Sequence, residues 1–551
     1  TVRITFESPF QVGAKLEVHD YSKFEEKVKS AINKSKITKT KIQNLPKEDW
    51  INSNITTAIN LRDKLWRKLK KEKNTTMVLS TNARTTQRKC GLINSLSKNK
   101  IKSNYIPPKL EYQDRIITEP DEICECFNLY FTNIGSDLCK NIAPHFRQPH
   151  DLIPNPDNNE SELNHLELTS TNEISKIISD SDSNVGSGVD GVTTKNLKCI
   201  KNSIVKELTD CINICFTNGE FPDSLKIAKV TPIYKSGSKA EPGNYRPISV
   251  LPTISKILEK NIHNRLINYL NSIQFLFKSQ YGFRPKSNTS SATIDLVTQI
   301  RNNIDCKNIG LGVFIDLKKA SDTVSHPILL NKLKTIGIKG KAHSIFESYL
   351  RNRSQIVKLG KYESSPLPIN CGVPQGSILG PLLFLIYVNN VHEIGLQGHL
   401  TLYADDTCLF YFGNSLHIII LQAHQDLDLF FNWFQQNLLT INATKTCYTT
   451  DLSINGEILQ KKDHERYLGL ILDSKLTWKA HIAKIKPKIT SLTAAMRNIT
   501  NCLPKQVRIN IYNSLVKPHL EHIVEIWGNA AMSNLKELQT YLVKKKSKFS
   551  L

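Results

Sequence analysis

The stretch Leu400-Thr401-Leu402-Tyr403-Ala404-Asp405-Asp406-Thr407-Cys408-Leu409-Phe410-Tyr411-Phe412 has two adjacent acids between two apolar arms. The arms are rich in residues typical of β-strands, so the stretch predicts a hairpin with Ala404-Asp405-Asp406-Thr407 as its turn. Two carboxylates among hydrophobic neighbours are costly unless the charges are paired or bind a metal. Asp also favours turns for local reasons. A metal site and an ordinary polar turn are therefore equally good interpretations of this stretch alone.

A third acid, Asp316, ends an apolar segment, Leu311 to Leu317, that predicts a short strand. A carboxylate at that position contributes nothing to packing. If this strand and the hairpin are neighbours, Asp316 converges with Asp405 and Asp406. Three carboxylates can hold two divalent cations about 3.5–4 Å apart, the arrangement used for in-line phosphoryl transfer. For Asp316 alone, a simple strand-end cap is the alternative.

Two further features favour a phosphate-bearing ligand. In Gly372-Val373-Pro374-Gln375-Gly376 the glycines let the backbone approach a ligand closely, and Gln375 can hydrogen-bond a base or sugar edge. Lys235 and Arg246 lie on the two sides of a second predicted hairpin and could clamp a triphosphate. A Gly/Pro turn and two exposed surface cations are the ordinary alternatives.

The charge balance favours a polyanionic partner. Lys and Arg total 73 against 50 acids in 551 residues, a net charge of +23, which favours a polyanion such as nucleic acid. A merely soluble basic protein is the alternative that charge alone does not exclude. The twelve cysteines lack the spacing of a zinc site and predict reduced thiols in an intracellular protein that is not secreted. The longest apolar run, Ile378 to Val388, is too short for a membrane span. The missing start Met indicates a fragment.

Hydrophobic periodicity predicts an α+β fold, with strands from Lys226 onward and helices packed on one face of the sheet. Residues 76–140 are predicted to be mostly helical. The segment Thr56 to Lys73 is predicted to form a basic helix. Its charged side could face RNA, but a side simply exposed to solvent is the slightly favoured interpretation. A Pro- and Asn-rich linker is expected near residues 140–165.

Nine motifs together resemble the reverse transcriptase domain of non-LTR (LINE-type, jockey-like) retrotransposons, in that family's order and approximate spacing. They cover residues 216 to 473 and are Val230-Thr231-Pro232-Ile233-Tyr234-Lys235, Asn244-Tyr245-Arg246-Pro247-Ile248-Ser249, Tyr281-Gly282-Phe283-Arg284-Pro285, Phe314-Ile315-Asp316-Leu317, Asp322-Thr323-Val324, Gly372 to Phe384, Tyr403-Ala404-Asp405-Asp406, Asn442-Ala443-Thr444-Lys445-Thr446 and Tyr467-Leu468-Gly469.

The resemblance implies a right-hand polymerase with a palm of antiparallel sheet backed by helices. It divides the chain into a basic, mostly helical connector (1–165), an N-terminal extension (166–215), fingers and palm (216–473) and a truncated thumb (474–551). It implies an RNA-directed DNA polymerase that uses an RNA template, a DNA primer or RNA/DNA hybrid, and dNTPs. No membrane association is expected. The resemblance implies a ribonucleoprotein in the nucleus or cytoplasm.

The resemblance also implies roles for individual residues. Two Mg²⁺ ions, or Mn²⁺ in their place, would be held by Asp316, the Leu317 backbone carbonyl, Asp405 and Asp406. Lys235, Arg246, Gln375 and Gly376 would bind the nucleotide and template. Lys445 would protonate the leaving pyrophosphate, and Tyr467, Leu468 and Gly469 would form the primer grip.

The sequence departs from the family at several positions. Ser321 stands where the family usually has Phe or Tyr, a steric gate against the ribose 2′-hydroxyl, so weaker discrimination against ribonucleotides is expected. Asn390 stands where an Asp is usual. The segment from Lys445 to Tyr467 is shorter than is usual in the family, and we expect neither an endonuclease nor a Cys/His knuckle beside the domain.

These departures leave two other hypotheses open. One is a catalytically decayed or repurposed copy that only binds RNA through its basic surface. The other is a related palm polymerase, such as a group II intron-type enzyme, although the wording of the motifs favours the LINE type.

Overall fold

The computed structural model describes residues 26, 28, 30, 106–140, 142, 162–442, 447–448, 453–454, 457–458, 460–461, 463–499, 505–536 and 538. The predicted basic helix from Thr56 to Lys73 and most of the linker expected near residues 140–165 lie outside these residues. The described residues divide between two compact units. The first falls within 1–37, 103–287 and 307–460, and the second within 38–102, 288–306 and 461–551. The predicted domain boundaries remain predictions.

The elements alternate between helix and strand along the chain, which confirms the predicted α+β class. The strands are β1 (Leu110–Tyr112), β2 (Arg115–Ile117), β3 (Ile227–Tyr234), β4 (Tyr245–Val250), β5 (Ile309–Ile315), β6 (Arg353–Leu359), β7 (Tyr362–Glu363), β8 (Leu367–Ile369), β9 (His399–Tyr403), β10 (Asp406–Gly413), β11 (Cys447–Tyr448), β12 (Ser453–Ile454), β13 (Glu457–Ile458), β14 (Gln460–Lys461), β15 (His464–Tyr467) and β16 (Leu470–Asp473). The helices are α1 (Pro120–Lys140), α2 (Thr171–Asp180), α3 (Thr194–Asn218), α4 (Thr253–Ser272), α5 (Thr289–Asp305), α6 (His326–Thr335), α7 (Gly340–Leu350), α8 (Leu379–Val388), α9 (Leu416–Gln436), α10 (Lys479–Ile499), α11 (Lys505–Leu515), α12 (Lys517–Glu521) and α13 (Val524–Trp527).

The central sheet of the first unit has the strand order β14-β11-β5-β10-β9, with the division between the units falling at β14. Strand β10 lies antiparallel between β5 and β9. The predicted hairpin and its predicted neighbour strand are both confirmed. The reason is the apolar character of β5 and β10, which are buried along most of their length and must pair their backbone groups with other strands.

One face of this sheet packs on the main hydrophobic core. Leu311, Val313 and Ile315 of β5 are buried there together with Leu409 and Tyr411 of β10. Helices α4, α8 and α9 contribute further apolar side chains to the same core. Because side chains alternate along a strand, Asp316, the residue after β5, falls on the opposite face.

A second sheet of the first unit has the order β4-β3-β6-β7, with β8 also paired to β6. Strands β3 and β4 form an antiparallel hairpin, and β3 runs parallel to β6. Helix α1 covers this sheet, since Phe127 and Phe131 share a core with Ala228, Val230 and Val357.

The hairpin β1–β2 is a non-helical part of the segment 76–140, which was predicted to be mostly helical; helix α1 forms the last part of that segment. Gln113 and Asp114 form the two-residue loop of the hairpin with φ of 50° and 60°. Positive φ at both loop positions matches the twist of a tight hairpin. Strands of three residues are too short to show a period of two in the sequence.

The second unit contains the β15–β16 hairpin and helices α5 and α10 to α13. Leu468 and Gly469 form the hairpin loop with φ of 46° and 94°. Trp478, Ile482, Ile485 and Ile489 are buried along the start of α10. Across both units, none of the helices that the structure describes has the length and apolar character needed to cross a membrane.

Candidate active site

The β9–β10 hairpin carries two of the three predicted carboxylates at its tip. Tyr403 pairs with Asp406, so the loop consists of Ala404 and Asp405 alone and is shorter than the four-residue turn predicted. Ala404 has φ of 57°, in the left-handed region that a tight two-residue loop requires. Asp405 therefore stands at the tip, and Asp406 begins strand β10.

Asp316 reaches the same place from the neighbouring strand. Ile315 at the end of β5 pairs with Thr407, so one step further along the ladder Asp316 faces Asp406. Asn442 holds Asp316 there by donating from Nδ2 to Oδ2 at 2.8 Å and from its backbone N–H to the Asp316 carbonyl at 2.8 Å. The strand register thus places Asp316 at the same end of the sheet as Asp405 and Asp406.

The carboxylates affect one another electrostatically. Partial removal from bulk water raises the pKa of Asp405, and the charge of Asp316 raises it further, while Arg246 and Lys235 oppose the rise. The pKa of Asp406 is raised to about 6, first by desolvation and then by Asp405 and Asp316. Both side chains keep exposed surface, so the desolvation comes from the protein walls around them rather than from full enclosure.

The carboxylates have the donor chemistry of a site for hard divalent cations. Their oxygen ligands suit such ions, and their mutual repulsion is the energy that a bound cation would relieve. Within the described ranges, no group of three or more His, Cys, Asp or Glu side chains is already arranged as a metal site.

A buried glutamine that the sequence did not reveal, Gln280, supports the hairpin tip. Its Oε1 accepts hydrogen bonds from the backbone N–H groups of Ala404 at 3.0 Å and Gly282 at 2.8 Å. A side chain at Gly282 would bring its Cβ within 2.3 Å of the Ala404 nitrogen, so only glycine fits. The one available signal was its position directly before the Tyr281 to Pro285 motif.

Lys235 and Arg246 lie on the β3–β4 hairpin, as predicted. Arg246 pairs with Ile233, and Lys235 directly follows β3. Both side chains are exposed, and both lower the pKa of Asp405, so their charge acts on the carboxylate site. Lys319 connects the hairpin to the segment after Asp316, because its Nζ donates to the Gly243 carbonyl at 3.0 Å.

The Gly372 to Gly376 loop is held between the segment after Asp316 and strand β4. Gln375 donates from Nε2 to Asp322 Oδ1 at 2.7 Å, and its carbonyl accepts from the Ser249 N–H at 2.8 Å. Gly376 has φ of 123°, and a Cβ there would lie 2.4 Å from the Ser249 carbonyl oxygen. Glycine is therefore required at this close backbone approach.

Behind this loop, a fully buried acid that sequence reasoning missed holds the start of helix α8. Glu259 Oε2 accepts from the backbone N–H groups of Ile378 at 2.6 Å and Leu379 at 3.2 Å. Burial raises the pKa of Glu259, and the positive charge of buried Arg353 opposes the rise. In the sequence, Glu259 is only one polar residue within an apolar helical stripe.

The remaining predicted residues lie in different places. Ser321 is half-buried between Asp316 and Asp322, and its carbonyl accepts from the Val373 N–H at 2.8 Å. Leu317 is buried and forms an isolated antiparallel β-bridge with Ile441. Lys445 lies outside the described residues.

Tyr467, Leu468 and Gly469 belong to the second unit, at the end and loop of the β15–β16 hairpin. His522 contacts this loop, since its Nε2 lies 3.2 Å from the Leu468 carbonyl oxygen. The primer-grip role therefore stays a prediction.

Comparison with known proteins matches residues 233–472 to the family described as reverse transcriptase (RNA-dependent DNA polymerase). The RNA-directed DNA polymerase from mobile element jockey of Drosophila melanogaster is 28% identical over 423 residues, which cover 73% of this chain and 45% of that protein. Two similar proteins of the same organism are the probable RNA-directed DNA polymerases from transposon BS, 29% identical (64% of this chain, 41% of that protein), and from transposon X-element, 27% identical (67% and 42%). The chain spans less than half the length of these three relatives.

Proposed function

Since residues 233–472 form a reverse transcriptase domain of the non-LTR retrotransposon type, we propose that this chain is an RNA-directed DNA polymerase. It would extend the 3′-hydroxyl of a DNA primer with dNTPs on an RNA template. The observation that supports the proposal is the β5–β10 register, in which Asp316 follows β5 at the end of the sheet that carries Asp405 and Asp406. The excess of basic residues suits a nucleic-acid substrate.

Asp316, Asp405 and Asp406, with the Leu317 carbonyl, would hold two Mg²⁺ ions, or Mn²⁺ in their place. When bound, such ions neutralise phosphate charge and lower the pKa of the attacking hydroxyl. Asn442 and Gln280 keep two of the carboxylate-bearing segments in place before substrate arrives.

The remaining residues would bind and orient the substrates. Arg246 offers a planar fork and Lys235 a point charge to a triphosphate, both from the hairpin whose charges act on Asp405. Gln375 and Gly376 would lie against the nucleotide and template. Lys445 would give a proton to the leaving pyrophosphate, and Tyr467, Leu468 and Gly469 would hold the primer end.

The direct test is primer extension on poly(rA)/oligo(dT) with the purified chain, using Asp405→Asn as the control. The proposal expects dTTP incorporation by the wild-type chain that depends on added Mg²⁺ and is absent in the variant. Binding of an RNA/DNA hybrid with steep salt dependence but without extension would instead identify a chain that only binds RNA.

A further inference from the structure

A hydrogen bond joins Gln375 to Asp322, an acid to which the sequence motifs assign no role. Gln375 Nε2 donates to Asp322 Oδ1 at 2.7 Å across 53 residues of sequence. The second oxygen of Asp322, Oδ2, is buried and has no hydrogen-bond partner among the residues that the structure describes. The hydrogen bond to Gln375 is therefore the side-chain contact of this carboxylate with the loop from Gly372 to Gly376.

The backbone around Asp322 fixes the carboxylate in place. Its N–H donates to the Lys319 carbonyl at 2.8 Å, and its own carbonyl accepts from Cys371 Sγ at 3.5 Å. Gly372 has φ of 85°, and a Cβ there would lie 2.9 Å from the Asp322 carbonyl oxygen. Asp322 and the loop that carries Gln375 are thus in close backbone contact and cannot separate without breaking these contacts.

The charge state of Asp322 decides which end of the Gln375 amide faces outward. Burial raises the pKa of Asp322 to about 6, with the Gln375 hydrogen bond and Lys319 limiting the rise, so the group is ionised at pH 7.5. An ionised carboxylate only accepts hydrogen bonds, so it must face the NH₂ end of the amide. Oε1 is then directed away from Asp322, and it accepts no hydrogen bond within the described ranges.

An outward-facing Oε1 needs a hydrogen-bond donor on the ligand. Phosphate oxygens are acceptors, and the donors on base edges change from one base to the next. A polymerase must accept every base, so a constant partner must be independent of the base. Sugar hydroxyls are the donors that meet this requirement.

We propose that Asp322 is a positioning residue that turns Gln375 Oε1 toward a sugar hydroxyl of the bound substrates. The inference rests on the proposed polymerase function. Two hydroxyls have this chemistry, the 3′-hydroxyl of the incoming dNTP and the 2′-hydroxyl of the RNA template.

Two selectivity ratios of the full chain distinguish these hydroxyls. The first compares kcat/KM for single incorporation of a dNTP and of its 2′,3′-dideoxy analogue. The second compares an RNA template with a DNA template of the same sequence. Asp322→Asn keeps the shape of the side chain, but the new amide can donate to Oε1 of Gln375. The Gln375 amide can then rotate by 180° and direct its NH₂ end outward. The ratio that reports the contacted hydroxyl should fall about 2- to 10-fold, the value of one hydrogen bond.

Two further variants separate orientation from stability. Gln375→Met removes the acceptor at similar volume and should lower the same ratio, and adding Asp322→Asn to it should cause no further loss. Asp426→Asn is the matched control, because Asp426 is buried and accepts from the Gln397 and Gly398 N–H groups far from this loop in sequence. It should lower the melting temperature while leaving both ratios unchanged.

Each outcome decides the inference. If Gln375→Met lowers a ratio and a folded Asp322→Asn does not, Asp322 does not orient the amide. If neither ratio changes in Gln375→Met, the contact with a sugar hydroxyl is wrong, whether or not Asp322→Asn folds. If the wild-type chain extends a primer but the variants leave both ratios unchanged, only this inference is overturned. If the wild-type chain extends no primer, the proposed function and this inference are both overturned.

Discussion

Two sets of acidic side chains in the first unit differ in what surrounds them. Asp405 and Asp406 are exposed at a hairpin tip. The charge of Asp316 raises the pKa of both, and the charge of Asp405 raises that of Asp406 further. Glu259 and Asp426 are fully buried, and each accepts hydrogen bonds from two backbone N–H groups. The buried acids satisfy backbone N–H groups at the start of a helix and in a loop. The exposed acids repel one another, and a bound cation would relieve that repulsion. Surroundings, and not residue type, separate these structural carboxylates from the carboxylates that we propose to be catalytic.

The largest effect is expected from removing one exposed carboxylate. Asp405→Asn should lower primer extension by more than about 100-fold, because losing even an outer partner of a metal ligand costs 10- to 100-fold. The melting temperature should not fall, since the change relieves repulsion with Asp316 and Asp406. Asp428→Asn, at an exposed position of α9, is the control and should retain activity. Comparable extension by both variants would contradict the proposed role.

Removing a buried carboxylate should show the opposite pattern. Glu259→Ala removes the acceptor of the Ile378 and Leu379 backbone N–H groups and should lower the free energy of unfolding by about 3 kcal/mol. Urea unfolding measures this loss. Extension per folded molecule should change far less than in Asp405→Asn. An unchanged unfolding free energy would show that Glu259 is not a structural acid.

The buried cation Lys332 has room beside it for a new carboxylate, which a substitution at Asn390 would supply. Lys332 is enclosed by α6, α8 and α9, donates to the Tyr387 carbonyl and to Asn390 Oδ1 at 2.9 Å, and lies 5.1 Å from the Trp433 ring centroid. Burial lowers the pKa of Lys332 to about 7, with Glu393 opposing. Asn390, which replaces the family's usual Asp, supplies no counter-charge.

Asn390→Asp should therefore raise the free energy of unfolding at pH 7 by about 1–2 kcal/mol. The pKa of Lys332 is lower in the folded than in the unfolded chain, so the unfolded chain binds more protons between about pH 7 and 10. Wild-type stability should rise with pH across this window. The new carboxylate keeps Lys332 charged and should remove most of that rise. Urea unfolding from pH 7 to 9 tests this, and equal slopes for both proteins would refute it.

The smallest effect is expected at Ser321, which lies between half-buried Asp316 and Asp322 in the sequence. Ser321→Phe restores the bulk that the family usually has there and should raise selectivity for dNTP over rNTP by roughly 5- to 10-fold, the scale of a small steric difference in a pocket. Single-nucleotide incorporation with matched dNTP and rNTP measures it. Ser321→Ala is the control and should leave selectivity near the wild-type value. Equal selectivity of Phe and Ser chains would rule out a gating role here.

The sequence by itself determined the elements whose information is local. The apolar arms around Asp405 and Asp406 predicted a hairpin, and the apolar strand before Asp316 predicted its partner, because alternation and turn preferences act over a few residues. Lys235 and Arg246 were likewise assigned correctly to two sides of one hairpin. The motifs then indicated which family uses this arrangement.

Only the tertiary structure decided how the site is held. Gln280 contacts Ala404 across 124 residues, Glu259 contacts Ile378 across 119, and Gln375 contacts Asp322 across 53. Each of these polar groups must find a hydrogen-bond partner once it is buried, and the partner depends on which segments pack together. No local pattern carries that information, so the orientation of Gln375 becomes visible only when the chain has folded.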